Sequence, residues 1–385
     1  MKEIKLSSDA IGREDIDALC EWLRQDPIPR LTKGLLTVEM EDKWANRVGT
    51  KHSVYVNSGS SAILLLLAAY EQLLGFKPKV VCPAVSWSTD VSSPMLLGHD
   101  VILCDCNMED LSCNLLELES IFMKSNPDLF ISVAPLGLIP NIELIVKLCD
   151  YYNVKLIEDN CEAMGSMIGD KMLGCFGDAS VFSTYFGHHL STIEGGLINT
   201  DDSQLYNILM AMRSHGWARD ISPAAKAEHE EAWGIGGIDS LYTFYYPGFN
   251  VRSTDLQAFI GLRMIDRLDE YSKIRNRNFM LYKEGVKDNM LDISQRDNEF
   301  VSNFAYPVVN RNRDKIVTAL MDKGVEMRTL IAGSIGMQPF WIKKYGERLF
   351  RHADLVHAYG FYLPNHQDVT EEDIERIVKI INGRC

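Results

Sequence analysis

Over its first two-thirds the chain alternates short apolar runs with longer stretches in which apolar residues recur every three to four positions. Short apolar runs rich in β-branched residues predict buried strands, and the 3.6-residue period predicts helices. The strand candidates are Lys79-Val80-Val81-Cys82, Val101-Ile102-Leu103-Cys104, Leu129-Phe130-Ile131-Ser132-Val133 and Val154-Lys155-Leu156-Ile157. Helices are predicted between them, over 61–72 and Ile142–Tyr152. Largely apolar strands separated by helices predict an α/β fold, with a mostly parallel sheet covered on both faces. After Val251 the pattern changes. A helix over 254–268, a longer helical stretch through Val286, a strand at Phe304-Ala305-Tyr306-Pro307-Val308, a helix over 311–323, a strand-like Val325-Glu326-Met327-Arg328 and a last helix over Glu371–Ile381 predict a smaller α+β domain. The expected division is 1–250 for the large domain and 251–385 for the small one, and no internal repeat or low-complexity segment interrupts either.

Charge narrows the function classes. The net charge is -14 and no long Lys/Arg run exists, which argues against a nucleic-acid-binding face. A few local arginines and helix N-termini are still enough to hold an anionic small molecule. No apolar run is long enough to cross a bilayer, and Met1-Lys2-Glu3-Ile4-Lys5-Leu6 carries no signal-peptide core, so the chain is expected in the cytoplasm. Nine scattered cysteines, an odd number, are expected as free thiols. Cys104, Cys106 and Cys113 match no standard zinc spacing, and no metal is expected there.

Several short motifs carry possible chemistry. Asn57-Ser58-Gly59-Ser60-Ser61-Ala62 places small residues before a predicted helix, where free backbone N–H groups and the helix dipole favour a phosphate. The same residues also suit an ordinary helix cap. Asp159 ends an apolar strand, the position where active groups of open α/β sheets gather, though an N-cap aspartate fits there too. Trp87 offers either a ligand platform or a core side chain. His188 and His189 make a poor metal pair, because neighbours on an extended strand point to opposite faces.

Taken together, Ser183, His188 and Glu194-Gly195-Gly196 resemble the cofactor-lysine segment of the DegT/DnrJ/EryC1/StrS sugar aminotransferases. That family carries a serine, a lysine five positions on, then an acidic residue and a glycine pair. Here His188 stands in the lysine's place and His189 matches a following family asparagine. The resemblance implies the aspartate-aminotransferase type of fold (fold type I) and a site for pyridoxal phosphate or pyridoxamine phosphate. It implies that Gly59, Ser60 and Ser183 hold the phosphate, that Trp87 stacks on the ring, and that Asp159 pairs with the ring nitrogen. Asn250, in Tyr246-Pro247-Gly248-Phe249-Asn250, matches a family asparagine that reaches the phosphate from a second subunit, so a homodimer is expected. Glu162, and the segment running through His215 and Arg219, match a dehydratase subgroup of the family. Arg219 or Arg252 is expected to grip a carboxylate or diphosphate.

Imidazole cannot form the covalent Schiff base that a lysine amine forms with the cofactor. It can take and return a proton, with an ordinary pKa of about 6.5. The resemblance therefore implies a lysine-free 3-dehydratase. It would remove the C3 hydroxyl of a 4-keto-6-deoxy nucleotide sugar, with GDP-4-keto-6-deoxymannose the first expectation and L-glutamate regenerating the amine cofactor. Arg328 to Ser334 and Gln338-Pro339 look partly like relatives that act on CDP-sugars, which keeps the nucleotide open. One such relative carries an iron–sulfur cluster whose ligands lie downstream of the base histidine. This chain has only Cys385 there, and no cluster is expected. A plain sugar aminotransferase, or a non-catalytic protein that binds the cofactor or a nucleotide sugar, are the alternatives.

Overall fold

A computed structural model describes residues 3–293 and 295–383. Seven strands form its central sheet: β1 (His52–Val56), β2 (Lys79–Pro83), β3 (Asp100–Cys104), β4 (Leu129–Val133), β5 (Lys155–Asp159), β6 (Ala179–Ser183) and β7 (Gly196–Thr200). Their spatial order is β1-β7-β6-β5-β4-β2-β3. Only β7 runs against the rest, pairing antiparallel with β1 and β6, while the other neighbours are parallel. This is the α/β architecture expected from the pattern, and β2 to β5 match the predicted strands. The other three carry polar residues inside the sheet, which blurs their apolar signal. Ser180 Oγ donates to the Gly174 carbonyl at 2.7 Å, and Asn199 Nδ2 to Thr50 Oγ1 at 3.1 Å, so burial leaves these groups bonded.

The helix Gly59–Leu74 follows β1 and is buried around most of its circumference, by residues that include Leu65, Leu66 and Leu67. Ser58 caps it, accepting from the Ser61 amide at 3.0 Å. β7 passes close by. A Cβ added to Gly196 would stand 2.4 Å from the Ser58 carbonyl carbon, so only glycine lets the strand lie against that turn.

Beyond residue 250 the pattern-based elements shift slightly. The predicted 254–268 helix is Asp255–Ile265, and a break at Asp266 and Arg267 separates it from Leu268–Gly285. The small sheet holds β8 (Ala305–Val309), β9 (Arg328–Thr329) and β10 (Gly360–Pro364), in the antiparallel order β8-β10-β9. The strand expected over Val325 to Arg328 is therefore displaced: Val325 instead bridges Ile4 near the N-terminus, and pairing with β10 starts at Arg328. The helix Glu371–Ile381 buries Ile374, Ile377, Ile380 and Ile381 on one face.

Two connections cross the expected division at residue 250. Ile4 pairs with Val325, and Asp255–Ile265 packs Ala258, Ile260 and Met264 into the same cluster as Met40 and Trp44 of the helix Leu35–Val48. Among the described residues no helix is long and apolar enough to cross a membrane. Cys104, Cys106 and Cys113 are buried free thiols, and Cys385 lies outside the described residues.

Asp255 joins the two parts chemically. Leu35–Val48 begins after Gly34, which has no capping side chain. Buried Asp255 replaces it, accepting from the amides of Gly34 at 2.7 Å and Thr37 at 2.9 Å and from Thr37 Oγ1 at 2.6 Å. Loss of a buried, charged cap is expensive because several donors lose their partner together. Asp255→Ala is expected to lower unfolding stability by about 3 kcal/mol in a denaturant titration.

Candidate active site

The C-terminal ends of β1, β2, β4, β5 and β6 open onto one cavity of about 400 Å³. That is the end of an open α/β sheet where ligands bind, and the size suits a small molecule. Gly59, Ser60, Trp87, Asp159, Glu162, Ser183 and His188 all line it, seven of the eleven residues singled out from sequence.

Each wall has a local cause. At the start of Gly59–Leu74, Gly59 and Ser60 present backbone N–H groups that have no intrahelical partner. A Cβ on Gly59 would meet Ser183 Cβ at 2.9 Å and Cys161 Sγ at 3.1 Å, so the glycine lets the helix start and the end of β6 touch. Trp87 sits just before the helix Ser88–Leu97 with more than half its surface exposed; it is a cavity wall, not a core side chain. Asp159 is buried, and its Oδ1 accepts from the Cys161 amide at 2.9 Å. Glu162 accepts from the Leu136 amide at 2.7 Å. Burial pushes the Glu162 pKa up to about 7, the Asp159 charge adding to it against the Leu136 hydrogen bond.

His188 lies in the connection between β6 and β7. The two arms of that hairpin are clasped by Thr184 N–H to the Gly195 carbonyl and Phe186 N–H to the Ile193 carbonyl, both 2.9 Å. The backbone at His188 is a turn rather than the extended strand expected, with its N–H donating to the Tyr185 carbonyl at 3.0 Å. The side chains of His188 and His189 still diverge. His189 is buried and its Nε2 is 2.7 Å from the Ser302 carbonyl, whereas His188 reaches the cavity between the rings of Tyr185 and Phe304, 5.9 and 5.2 Å away. His188 Nδ1 is buried without a partner, which leaves Nε2 as the nitrogen available to the cavity.

Behind the histidines stands Arg275, buried and bonded only to carbonyls, including Phe304 O at 3.0 Å. Burial brings its own pKa down to about 9. Burial first, and then the Arg275 charge, hold His188 at a pKa of about 4. The imidazole is therefore neutral at physiological pH and able to accept a proton.

The remaining four residues lie outside the cavity lining of this chain. Asn250 is exposed and bridges Ser214, and Arg252 is half-buried beside Val56. His215 is exposed, with its N–H donating to the Phe249 carbonyl at 2.6 Å. Arg219 stacks over Trp217 at 4.4 Å and bonds Asp220 at 3.2 Å. Buried Arg213 anchors this face, bonded to Glu41 and, at 2.8 Å, to the Tyr55 carbonyl.

The family profile of the DegT/DnrJ/EryC1/StrS aminotransferases matches residues 9–382. The chain belongs to that family. Among its relatives, the GDP-4-keto-6-deoxy-D-mannose 3-dehydratase of Yersinia pseudotuberculosis is 29% identical over 365 residues, covering 91% of each chain. The E. coli enzyme of the same name, solved with bound hydrated PLP, superposes with a TM-score of 0.88 at 26% identity, over 99% of this chain and 100% of that one. A histidine-to-asparagine variant of GDP-4-keto-6-deoxymannose-3-dehydratase, solved with bound GDP-perosamine, gives a TM-score of 0.87 at 25% identity over the same shares. Fold type I, expected from the motifs, is thereby established for the whole described chain.

Sequence reasoning missed other members of this DegT-family site. Asp90, Tyr185, Phe304 and Tyr362 line the cavity, and Arg275 sets its charge. Asp90 and Tyr185 lie within three residues of Trp87 and His188, so inspection of the same turns could have found them. Phe304, Tyr362 and Arg275 arrive through tertiary packing and carry no local motif.

The low His188 value has a consequence for stability. An unfolded histidine titrates near 6.5 and this one at about 4, so the folded state loses stability as pH falls from about 6.5 towards 4. His188→Asn is expected to remove part of that acid-side loss, on the order of 2 kcal/mol at pH 4, in denaturant titrations across the range. Parallel curves for the two proteins would contradict a half-buried, neutral imidazole.

Proposed function

We propose that this chain is a 3-dehydratase: it removes the C3 hydroxyl of a 4-keto-6-deoxy nucleotide sugar, with pyridoxal/pyridoxamine phosphate as coenzyme and His188 as acid and base. One observation carries the proposal. No lysine lines the cavity among the described residues, and a neutral imidazole faces it instead.

The residues present fit the coenzyme. Gly59 and Ser60 offer uncommitted amides, and Ser183 a hydroxyl, at the one place where a helix start and a strand end touch, which suits a phosphate. Asp159, at the floor, provides an anion for a ring N–H, Trp87 a flat apolar face, and Glu162 a polar group held by Leu136. When bound in its amine form, pyridoxamine phosphate supplies a nitrogen for a ketone and an electron-accepting ring.

His188 does the proton work. Its Nε2, the only ring nitrogen open to the cavity, takes a proton from carbon and then donates it to the departing hydroxyl oxygen. Water that returned would compete for that proton. Tyr185, Phe304 and Tyr362 form the apolar rim that keeps it out. The proton leaves with the hydroxyl instead of returning to the sugar carbon that bears the nitrogen, so an amino group is not transferred to the sugar.

The relatives' names favour GDP-4-keto-6-deoxymannose as substrate. A structural neighbour trapped with a PLP-glutamate adduct supports L-glutamate as the amine donor. A homodimer belongs to the same proposal. Asn250, His215, Arg219 and Arg252 gather on a face outside the chain's own cavity, beside exposed Trp233, Ile238 and Tyr242, and a second copy would bring Asn250 to the partner's phosphate. The 1–250 and 251–385 domains are part of this scheme, with Phe304 and Tyr362 as the small domain's share of the wall.

The purified protein, given pyridoxal phosphate, glutamate and GDP-4-keto-6-deoxymannose, is expected to yield a 3-deoxy product by mass spectrometry. His188→Asn is expected to lower turnover at least a hundredfold, in line with the usual contribution of a general acid–base. Intact 3-hydroxyl on both GDP- and CDP-linked substrates overturns the assignment, and an amino-sugar product would favour the aminotransferase alternative.

A further inference from the structure

Asp90 lines the cavity yet is fully buried, and neither of its carboxyl oxygens has a hydrogen-bond donor. It sits in the first turn of Ser88–Leu97, three residues after Trp87. Its side chain adjoins the Asp159 carboxyl, itself an acceptor. Two carboxylates in contact, both out of water, cannot both stay ionised; the shared site keeps a proton. Cys82 on β2, and Cys161 and Glu162 after β5, are the other titratable groups around it, and none is a cation.

We propose that Asp90 is a positioning residue: it holds a proton at neutral pH and donates it in a hydrogen bond to Asp159. Three observations converge. Asp90 is the more deeply buried of the two, at 0% exposure against 6%. Among the described residues no donor stands within hydrogen-bond distance of its oxygens, and a proton of its own satisfies the contact with the Asp159 acceptor. Asp159 already spends Oδ1 on the Cys161 amide, and a second bond from Asp90 fixes the carboxylate's rotation. Burial, reinforced by the Asp159 and Glu162 charges, drives the Asp90 pKa well above the usual carboxyl range; the Trp87 main chain pulls weakly the other way.

The consequence for chemistry rests on the coenzyme site proposed above. A donor behind Asp159 keeps that carboxyl group aimed at the ring nitrogen. No electron transfer or covalent step is involved, and one proton stays on the acid pair.

The test uses the apoprotein first, so it does not depend on the coenzyme. Infrared spectra at pH 7 are expected to show a protonated-carboxyl C=O stretch that Asp90→Asn removes, with the difference between the two proteins isolating Asp90 from Glu162. The absence of a difference overturns the proposal. Linkage gives a second readout. A carboxyl whose pKa rises on folding stabilises fully below about pH 4, and that contribution is lost as pH rises through its folded value. Asp90→Asn, which donates without titrating, is expected to lose less stability between pH 5 and 8 than the natural protein; an equal loss counts against the proposal. Finally, pyridoxamine phosphate affinity, followed by fluorescence, is expected to change less than about threefold in Asp90→Asn and to weaken roughly tenfold in Asp90→Val. Equal affinity in the Val variant and the natural protein refutes the positioning role. If neither binds the coenzyme, the functional proposal fails, and the infrared result still decides the state of Asp90.

Discussion

The site depends on one contact: the start of the helix Gly59–Leu74 against the end of β6, with Gly59 touching Ser183. Antiparallel β7 makes it possible. It lies between β1 and β6, pairs Val56 and Ser183 with the same Gly196, and so holds two otherwise separate strand ends at a fixed distance. Gly196 and Gly59 are the small residues that allow the approach, one from below and one from above. On the proposed reading the phosphate occupies this junction. The remaining distances in the cavity then follow from the strand spacing of the sheet, which is stiff because both faces are buried.

Charge is distributed unevenly around that junction. Asp90, Asp159 and Glu162 collect near the ends of β2 and β5, Glu194 stands on the β6–β7 connection, and no lysine or arginine is among the described residues of the wall. An unpaired guanidinium, Arg275, stands on the other side, behind His188 and His189. On the proposed reading the acids near β5 meet a cationic ring, and burial with the Arg275 charge keeps the imidazole free of a proton. Arg275 reaches this place with no carboxylate bonded to it among the described residues: its Nη1 donates to three backbone carbonyls, those of Asn303, Phe304 and Asn365. The same bonds hold Phe304 against His188, so one residue sets both the electrostatics and the packing of the base.

Parallel strands with continuous apolar runs were legible in the sequence, and so were the strand-end acid, the Ser/Gly turn and the histidine in the lysine register. β1, β6 and β7 were not, because Ser53, Ser180 and Asn199 break the apolar pattern; Ser180 Oγ and Asn199 Nδ2 find tertiary partners that no local pattern announces. The missed site residues divide in the same way. Asp90 could have been weighed from its place beside Trp87, whereas Arg275, Phe304 and Tyr362 come from chain segments whose local pattern speaks only of core packing. Their role exists only once those segments pack against the cavity. The four residues on the 213–252 face carried a family match in sequence, but none of them lines the cavity of a single chain.

Exchange of a tethering amine for an imidazole changes what the rest of the pocket must do. A covalent bond holds a coenzyme whatever the strength of its other contacts. Without it, retention falls entirely to phosphate, stacking and ring-nitrogen interactions, each of which weakens if its group is free to rotate. This chain answers with constraint. Ser183 is pinned by its contact with Gly59, Glu162 by the Leu136 amide, and Asp159 by the Cys161 amide. Preorganised partners lose little entropy on binding, so non-covalent contacts can serve where a bond is missing. On the proposed reading the freed position then holds a group that moves protons, and the same fold that elsewhere donates nitrogen becomes suited to removing oxygen.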